Sequence, residues 1–318
     1  MRRGIVQMAW GLLALSLAVG GPSAVCGGEP APMKKENMQT TGSMVPDVGF
    51  DGEFYPPVGS PKTLGVLVLG GSDGGVPSRR ARSIAEKGFP VLALAYFKTE
   101  RTPRYLDMIP LEYFDEPIEW LKKNRHTQGG RLVVIGESKG AELALLLAFR
   151  KPEISGVVAY VPGAVAFQGI PKDFWPPRSS WSYRGEPIPF VPYDLSNLPD
   201  PNDALSIYRN SLKQQEAVRK AVIPVSRIRG PILLFSAADD RMWPSVEMSD
   251  MIMRTLRDQG FRYPFELITY EHAGHTMTEY YMMGGTEEGN RKARMDSTER
   301  ALLFLNKLSA EQPAAAKR

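Results

Sequence analysis

The chain has 318 residues, of which 43% are hydrophobic and 23% charged, and its formal net charge is +4. These fractions are typical of a globular protein with a full hydrophobic core. They do not favour a nucleic-acid-binding protein, because phosphate contacts need clustered Lys and Arg and the sequence has no long basic run. The single cysteine, Cys26, has no partner in this sequence for an intramolecular disulfide.

Residues 1–26 have the layout of a secretory signal peptide. Two arginines precede an apolar run of about fifteen residues, and small residues follow it. The run is too short for a stable membrane span, and Gln7 interrupts it. We therefore expect export, to a bacterial periplasm or to the medium, with cleavage after Gly20 or Cys26. Lipoprotein anchoring at Cys26 is the alternative, although residues 23–25 lack the leucine and the small last residue that such a site prefers.

After this segment, residues 27–60 predict a linker with one irregular strand, and residues 61–310 predict the catalytic domain. Within that domain short apolar runs alternate with amphipathic stretches. The predicted strands are 65–70, 90–97, 131–136, 154–162, 231–237 and 264–270. The predicted helices are 77–87, 111–124, 141–150, 245–259 and 293–309. Continuous Val/Ile/Leu strands alternating with helices indicate an α/β fold, with a mostly parallel sheet covered by helices on both faces. Residues 311–318 are expected to be a disordered tail.

Residues 163–222 interrupt the alternation. They are rich in Pro, Trp, Tyr and Ser ("DFWPPRSSWSYRGEPIPFVPYD") and end in a short helix. A long insertion in a compact sheet is usually a lid or a binding loop. We expect it to lie over the carboxyl ends of the strands, with Trp175 and Trp181 in an apolar wall that binds the substrate. The alternative is a structural flap that covers a sheet edge.

A Gly-x-Ser-x-Gly step occurs in "VIGESKGAEL", between the strand at 131–136 and the following helix. This pattern is typical of a nucleophile elbow, in which a strained turn exposes the serine hydroxyl. Gly136 and Gly140 lack Cβ atoms, so strand and helix can pass close together. Ser138 is therefore the candidate nucleophile, and an ordinary strand-to-helix turn is the alternative.

A nucleophilic serine needs a base and an acid, which follow it in the order serine, acid, histidine in the α/β-hydrolase fold. "YEHAGH", after the last predicted strand, contains His272 and His275, and we favour His275 because Ala-Gly leads into it. "LLFSAADDRMWPS" contains Asp239 and Asp240, and we favour Asp240 as the acid. The other aspartate could cap the helix that is predicted to follow.

The oxyanion hole should have two backbone donors. One is the N–H of Lys139, directly after the nucleophile at a helix N-terminus. The second is expected from "LGGSDGG" (69–75), through the N–H of Ser72. The same loop lacks the lysine and the glycine spacing of a phosphate-binding loop. No cofactor is expected, and no metal either, because no carboxylate or cysteine lies at a familiar ligand spacing from the paired histidines.

Longer motifs are more specific than the elbow: "GESKGAELALLLA", "SYRGEPIPFVPYD", "IPVSRIRGPILLFSAADDRMWPS", "HAGH" and "GGTEEGNRKARMDSTERALLFL". Over roughly residues 60–310 the chain resembles the C-terminal catalytic domain shared by acyl-CoA thioesterases and bile acid-CoA:amino acid N-acyltransferase. The resemblance implies an α/β-hydrolase fold, a serine nucleophile at Ser138 where the transferase has cysteine, and partners at Asp240 and His275. After "HAGH" the family tends to a proline-rich segment, which "TMTEYYMMGG" replaces here.

Together these features predict a serine hydrolase that cleaves a small-molecule acyl thioester or ester through an acyl-enzyme. The alternatives are an acyltransferase that passes the acyl group to an amine or alcohol, and a carboxylesterase or dienelactone-hydrolase-like enzyme. A non-catalytic binding protein is the least expected, because all three residues of a triad are available. Export is at odds with coenzyme A, which is expected in the cytoplasm.

Overall fold

The computed structural model describes residues 40–127, 130–173, 175–198, 200 and 202–311. The predicted signal peptide, with Cys26, lies outside the described residues, as does the predicted tail from residue 312 onward. Within the ranges just given, no helix combines the length and the apolar character needed to cross a membrane.

The described residues form eleven strands. In chain order they are β1 (Ser43–Met44), β2 (Asp51–Tyr55), β3 (Gly65–Leu69), β4 (Val91–Ala95), β5 (Ile109–Pro110), β6 (Leu132–Glu137), β7 (Ile154–Tyr160), β8 (Trp181–Tyr183), β9 (Glu186–Pro187), β10 (Ile232–Ala237) and β11 (Phe265–Tyr270). The main sheet has the order β1-β2-β4-β3-β6-β7-β10-β11, and β5, β8 and β9 form a small separate sheet.

The six strands from β4 to β11 in the main sheet are mutually parallel and correspond to the six predicted strands. β3, β4 and β10 are buried along their whole length, since helices cover both faces of the sheet. This burial explains why these strands read as continuous apolar runs. The predicted mostly parallel α/β sheet is confirmed.

At the other edge, β1 and β2 extend the sheet with antiparallel pairing, β2 to β4 and β1 to β2. The one irregular strand predicted within residues 27–60 corresponds to β2, and β1 is a second strand that the prediction lacks. β2 (DGEFY) carries two acidic residues and a glycine, so no apolar run marks it. Its Asp51 is buried but paired, accepting hydrogen bonds from Arg101 Nε at 2.5 Å and Thr99 Oγ1 at 2.6 Å.

Seven α-helices occur in the described chain: α1 (Ser78–Ala85), α2 (Asp115–Lys123), α3 (Lys139–Arg150), α4 (Ala204–Ser211), α5 (Gln215–Ala221), α6 (Ser245–Asp258) and α7 (Glu287–Ala310). Alternate residues of the strands point to opposite faces of the sheet. One face packs in a hydrophobic cluster with α1 and α7. The other packs with α2, α3, α6 and the insertion. The sheet is thus the middle of three layers.

The insertion 163–222 contains more regular structure than its sequence suggests. The structure has two helices, α4 and α5, where the sequence predicts one. Strand β8 of the insertion pairs with β5 and β9 in the small sheet. The insertion packs on the first turn of α3, where Ser180 Oγ lies 2.8 Å from Lys139 Nζ. Because α3 begins where β6 ends, the insertion lies at the carboxyl ends of the parallel strands, and its function as a lid stays a prediction.

Candidate active site

Ser138 occupies the turn between β6 and α3, with φ 55° and ψ −120°. A positive φ is costly for a residue with a Cβ atom and is maintained only where the surroundings enforce it. Here the close passage of strand and helix enforces it. A Cβ atom on Gly140 would overlap the carbonyl oxygen of Gly70, and one on Gly136 would overlap that of Gly140. The turn therefore has the geometry of a nucleophile elbow.

His275 lies in the loop after β11 and reaches Ser138, with 2.9 Å between His275 Nε2 and Ser138 Oγ. The loop is held at two points next to the histidine. The N–H of His275 donates to the carbonyl of Met283 at 3.0 Å, and the N–H of Gly274 donates to Asn290 Oδ1 at 2.8 Å. Both bonds hold the backbone at the histidine, and both leave the two ring nitrogens of the imidazole free for other contacts.

Asp240, in the turn after β10, completes the series through a contact of 2.9 Å from its Oδ2 to His275 Nδ1. Its Oδ1 accepts the backbone N–H groups of Met242 at 2.9 Å and Trp243 at 3.1 Å. The carboxylate is thus oriented by its own turn. Ser138, His275 and Asp240 are all buried, with exposed fractions of 7%, 5% and 5%.

The two runner-up residues lie outside this series. Asp239 accepts the N–H of Gly285 at 2.7 Å and so ties the turn after β10 to the histidine loop. It does not cap α6, whose N-cap residue Pro244 has no side-chain capping bond. His272 is exposed, and its carbonyl accepts the N–H of Thr286 at 3.0 Å. The geometry therefore brings together the residues favoured from the sequence, Asp240 and His275.

The electrostatics around His275 favour its protonated form. Burial by itself lowers the pKa of the imidazole, but the charge and hydrogen bond of Asp240 act against it, and the charges of Glu137 and Asp73 add to this opposition. The net effect raises the pKa of His275 above its ordinary value of 6.5. A base with this property is well suited to accept a proton from a serine hydroxyl and to hold it during the reaction.

The two expected oxyanion donors belong to chain segments that lie next to the serine. Lys139 is the first residue of α3, and Gly71 of the loop 70–75 lies beside Ser138, so that a Cβ on Gly71 would be 3.3 Å from Ser138 Cβ. Within the described chain neither the Lys139 N–H nor the Ser72 N–H donates a hydrogen bond to the protein. Both donors are therefore available to an oxygen atom near Ser138, and their role remains a prediction.

The tryptophans predicted to bind substrate do not lie as expected. Trp181 is 0% exposed and offers no surface to a ligand, because its ring is part of the core between the insertion and the sheet. Trp175 is 82% exposed at the surface of the insertion. The aromatic ring beside His275 is instead Trp243, 5.7 Å from the His275 ring and 5.5 Å from that of Tyr208 in the insertion.

Trp243 and Glu142 are not among the site residues predicted from the sequence, and Lys139 is predicted only for its backbone N–H, not for its buried side chain. "DDRMWPS" contains the signal for Trp243, since it lies three residues after Asp240 in the same turn. No cluster of His, Cys, Asp and Glu suited to a metal ion occurs among the residues with described positions.

Two cavities help to locate the substrate region. The larger, about 500 Å³, is lined by Ile232 and Phe265, the first residues of β10 and β11, and by Leu308. It lies at the amino ends of the strands, whereas open α/β sheets bind ligands at the carboxyl ends. The smaller, about 230 Å³, is lined by Asp240 and Trp243 and adjoins the site. The position of the hydrogen-bonded series, not cavity size, therefore identifies the site.

Comparisons with known proteins agree with this geometry. A model of the family described as BAAT / Acyl-CoA thioester hydrolase C terminal matches residues 109–307, which include all three members of the series. The chain belongs to this family. It is 28% identical over 270 residues to acyl-coenzyme A thioesterase 1 of Mus musculus and 30% identical over 282 residues to acyl-coenzyme A thioesterase 6 of the same organism.

These matches cover 80% and 82% of this chain but 62% and 64% of the two relatives. The chain therefore spans less than two thirds of the relatives' length. Among solved structures, the acylaminoacyl peptidase of Pyrococcus horikoshii superposes with a TM-score of 0.58 at 13% identity, over 87% of this chain and 43% of that one. This likeness establishes the α/β-hydrolase fold of the family member described here.

Proposed function

We propose that the protein is a serine hydrolase that cleaves an acyl thioester of the acyl-CoA class through an acyl-enzyme. The observation that carries the proposal is the unbroken series from Ser138 Oγ through the His275 ring to Asp240, with 2.9 Å at both contacts. Family membership and the names of the two mammalian relatives support the thioester as the bond that is broken.

In the first half-reaction Ser138 Oγ attacks the acyl carbon while His275 Nε2 accepts the hydroxyl proton. Asp240 stabilises the resulting imidazolium and holds the ring in one tautomer. The N–H groups of Lys139 and Ser72 stabilise the negative oxygen, and each such donor contributes about 3 kcal/mol to the transition state. Collapse of the intermediate breaks the carbon–sulfur bond, and the leaving thiolate takes the proton from His275.

In the second half-reaction water attacks the acyl-enzyme ester. His275 accepts a proton from the water and then returns it to Ser138 Oγ as the carboxylic acid leaves. The same two donors stabilise the second oxyanion. An acyltransferase would replace the water with an amine or alcohol, and the family includes both outcomes in its name, so the acceptor needs a direct test.

The test is an acyl-donor screen that compares acyl-CoAs, simple esters and lactones, each with and without an amine acceptor. The proposal predicts release of free thiol and free acid from acyl-CoA, with no amide product when the amine is present. Ser138→Ala is the matched control, since it removes only a hydroxyl. Ester or lactone hydrolysis without thioester hydrolysis would contradict the substrate class, and amide formation would contradict hydrolysis.

We also propose that the protein is exported and that residues 1–26 are removed as a signal peptide. Support comes from the two arginines, the apolar run and the small residues of that segment. The expected result is a mature N-terminus after Gly20 or Cys26, determined by mass spectrometry of the exported protein. An intact N-terminus on a protein found with the cytoplasmic fraction would contradict export.

A further inference from the structure

The first turn of α3, which begins directly after the nucleophile, contains an ion pair that is fully enclosed. Lys139 and Glu142 are 1% and 0% exposed, and Lys139 Nζ lies 3.0 and 3.2 Å from the two carboxylate oxygens of Glu142. Burial of such a pair costs desolvation free energy and is not a common way to gain stability. The proposed mechanism uses the backbone N–H of Lys139 but neither of the two charged side chains.

Among the described residues, the other side-chain hydrogen-bond partners of the pair all belong to the insertion. Glu142 Oε1 accepts the indole N–H of Trp181 at 2.7 Å and the backbone N–H of Phe167 at 3.3 Å. Lys139 Nζ donates to Ser180 Oγ at 2.8 Å, and that hydroxyl donates to the Phe167 carbonyl at 3.0 Å. The pair therefore attaches the first turn of α3 to the insertion through directional bonds.

Trp181 of the insertion is also linked to the second chain segment of the proposed oxyanion hole, the loop 70–75. The ring of Trp181 lies 5.7 Å from that of Tyr96, which is buried. The Tyr96 hydroxyl donates to the carbonyl of Gly70 at 2.7 Å, two residues before Ser72. Trp181 thus contacts Glu142 in one of the segments that would supply the donors and is linked to the other segment through Tyr96.

We propose that Glu142, together with Lys139 and Trp181, is a positioning residue that fixes the separation of the two oxyanion donors. The inference rests on the proposed function, because it concerns the same acyl-transfer step at Ser138. Its basis is the continuous chain of contacts from the first turn of α3, through Glu142 and Trp181, to the loop before Ser72. Misplacement of a catalytic group by about 1 Å can lower a rate by roughly 100-fold.

The two charges depend on each other. Burial lowers the pKa of the Lys139 ammonium and raises that of the Glu142 carboxyl, and in each case the partner's charge opposes the effect of burial. Removal of one charge leaves the other buried without compensation, whereas removal of both avoids this penalty. This difference makes it possible to separate positioning from stability by experiment.

The experiment compares Glu142→Gln, Trp181→Phe and the double variant Lys139→Met/Glu142→Gln in the full chain, by kcat, KM and Tm on an acyl-CoA that the unmodified protein hydrolyses. We expect Glu142→Gln to lower kcat by about 10- to 100-fold with KM within about 3-fold of the original value. Trp181→Phe keeps an aromatic ring but loses the indole N–H and the five-membered ring that carries it, and it should lower kcat by a smaller factor. Glu119→Gln is the matched control, since Glu119 pairs with Lys122 at 3.0 Å with the same three-residue spacing on the helix surface, and it should leave kcat unchanged.

The double variant decides between positioning and stability. A positioning role predicts that the Tm of the double variant is higher than that of Glu142→Gln, while its kcat stays at least about 10-fold below that of the unmodified protein. Recovery of kcat together with Tm would overturn the inference, as would an unchanged kcat in Glu142→Gln. If Glu142→Gln fails to fold, the kcat values of Trp181→Phe and of the double variant decide, and values equal to that of the unmodified protein would overturn the inference. Absence of acyl-CoA hydrolysis by the unmodified protein would instead contradict the proposed function.

Discussion

At the scale of single residues, the two neighbouring aspartates after β10 differ in what their side chains bind. Asp240 contacts the His275 ring, whereas Asp239 holds the backbone N–H of Gly285. Asp240→Asn should lower kcat by about 1,000-fold or more, because an amide no longer fixes the imidazole tautomer. Asp239→Asn is the matched control and should cost less than about 10-fold. Steady-state kinetics of both variants test this, and the reverse ranking would exchange their roles.

The pH dependence of kcat/KM should follow His275. The base must be neutral, and its pKa is raised above 6.5 because burial, which lowers it, is outweighed by Asp240 and then by Glu137 and Asp73. Activity is therefore expected to fall as the pH decreases through a value above 6.5. Glu137→Gln removes one of the charges that raise the pKa and should shift this limb to lower pH. A flat profile between about pH 5 and pH 9 would contradict a histidine base.

At the scale of elements, the crossing of β6 and α3 depends on glycine. A Cβ on Gly140 would overlap the carbonyl of Gly70, whereas one on Gly70 itself would meet only Pro77 Cβ, at 3.8 Å. Gly140→Ala should destabilise the fold by about 3 kcal/mol and lower activity, because it pushes the elbow away from the loop before Ser72. Gly70→Ala is the control and should change stability little. Denaturant unfolding of the pair provides the measurement, and equal stabilities would contradict the close crossing.

The insertion is an element whose tryptophans now have distinct expected roles. Trp181→Ala should cost about 3–5 kcal/mol in the free energy of unfolding, because it removes a fully buried ring and leaves the Glu142 carboxylate short of a donor. Trp175→Ala should leave stability unchanged, since the side chain is 82% exposed. Chemical denaturation measures both. A larger loss for Trp175→Ala would contradict the described packing.

At the scale of the whole molecule, the parallel sheet and the site could be predicted from the sequence because both rest on local patterns. Continuous apolar runs mark strands that are buried on both faces, and the order of serine, acid and histidine follows from the order of those strands. For the edge strand β2 the sequence predicts only one irregular strand, and its antiparallel pairing with β4 could not be predicted. The buried Asp51 of this strand is compensated by Arg101 and Thr99, which lie about fifty positions away in the chain.

The burial of the Lys139–Glu142 ion pair in the first turn of α3 could not be predicted from the sequence either. A lysine and a glutamate three residues apart on a helix usually form a solvated surface pair. Only the packing of the insertion shows that both are enclosed, through Ser180 and Trp181 some forty positions later. The sequence predicts Trp181 in a pocket wall for the same reason, since an aromatic residue among prolines does not reveal which side of the insertion it faces.

The central claim is that the folded molecule activates Ser138 as a nucleophile. The most direct measurement is reaction with a fluorophosphonate probe, followed by peptide mapping with mass spectrometry. We predict one added phosphonyl group per chain, located on Ser138, lost in Ser138→Ala and strongly slowed in His275→Ala. Failure of the folded protein to react, or modification at another serine, would contradict the account.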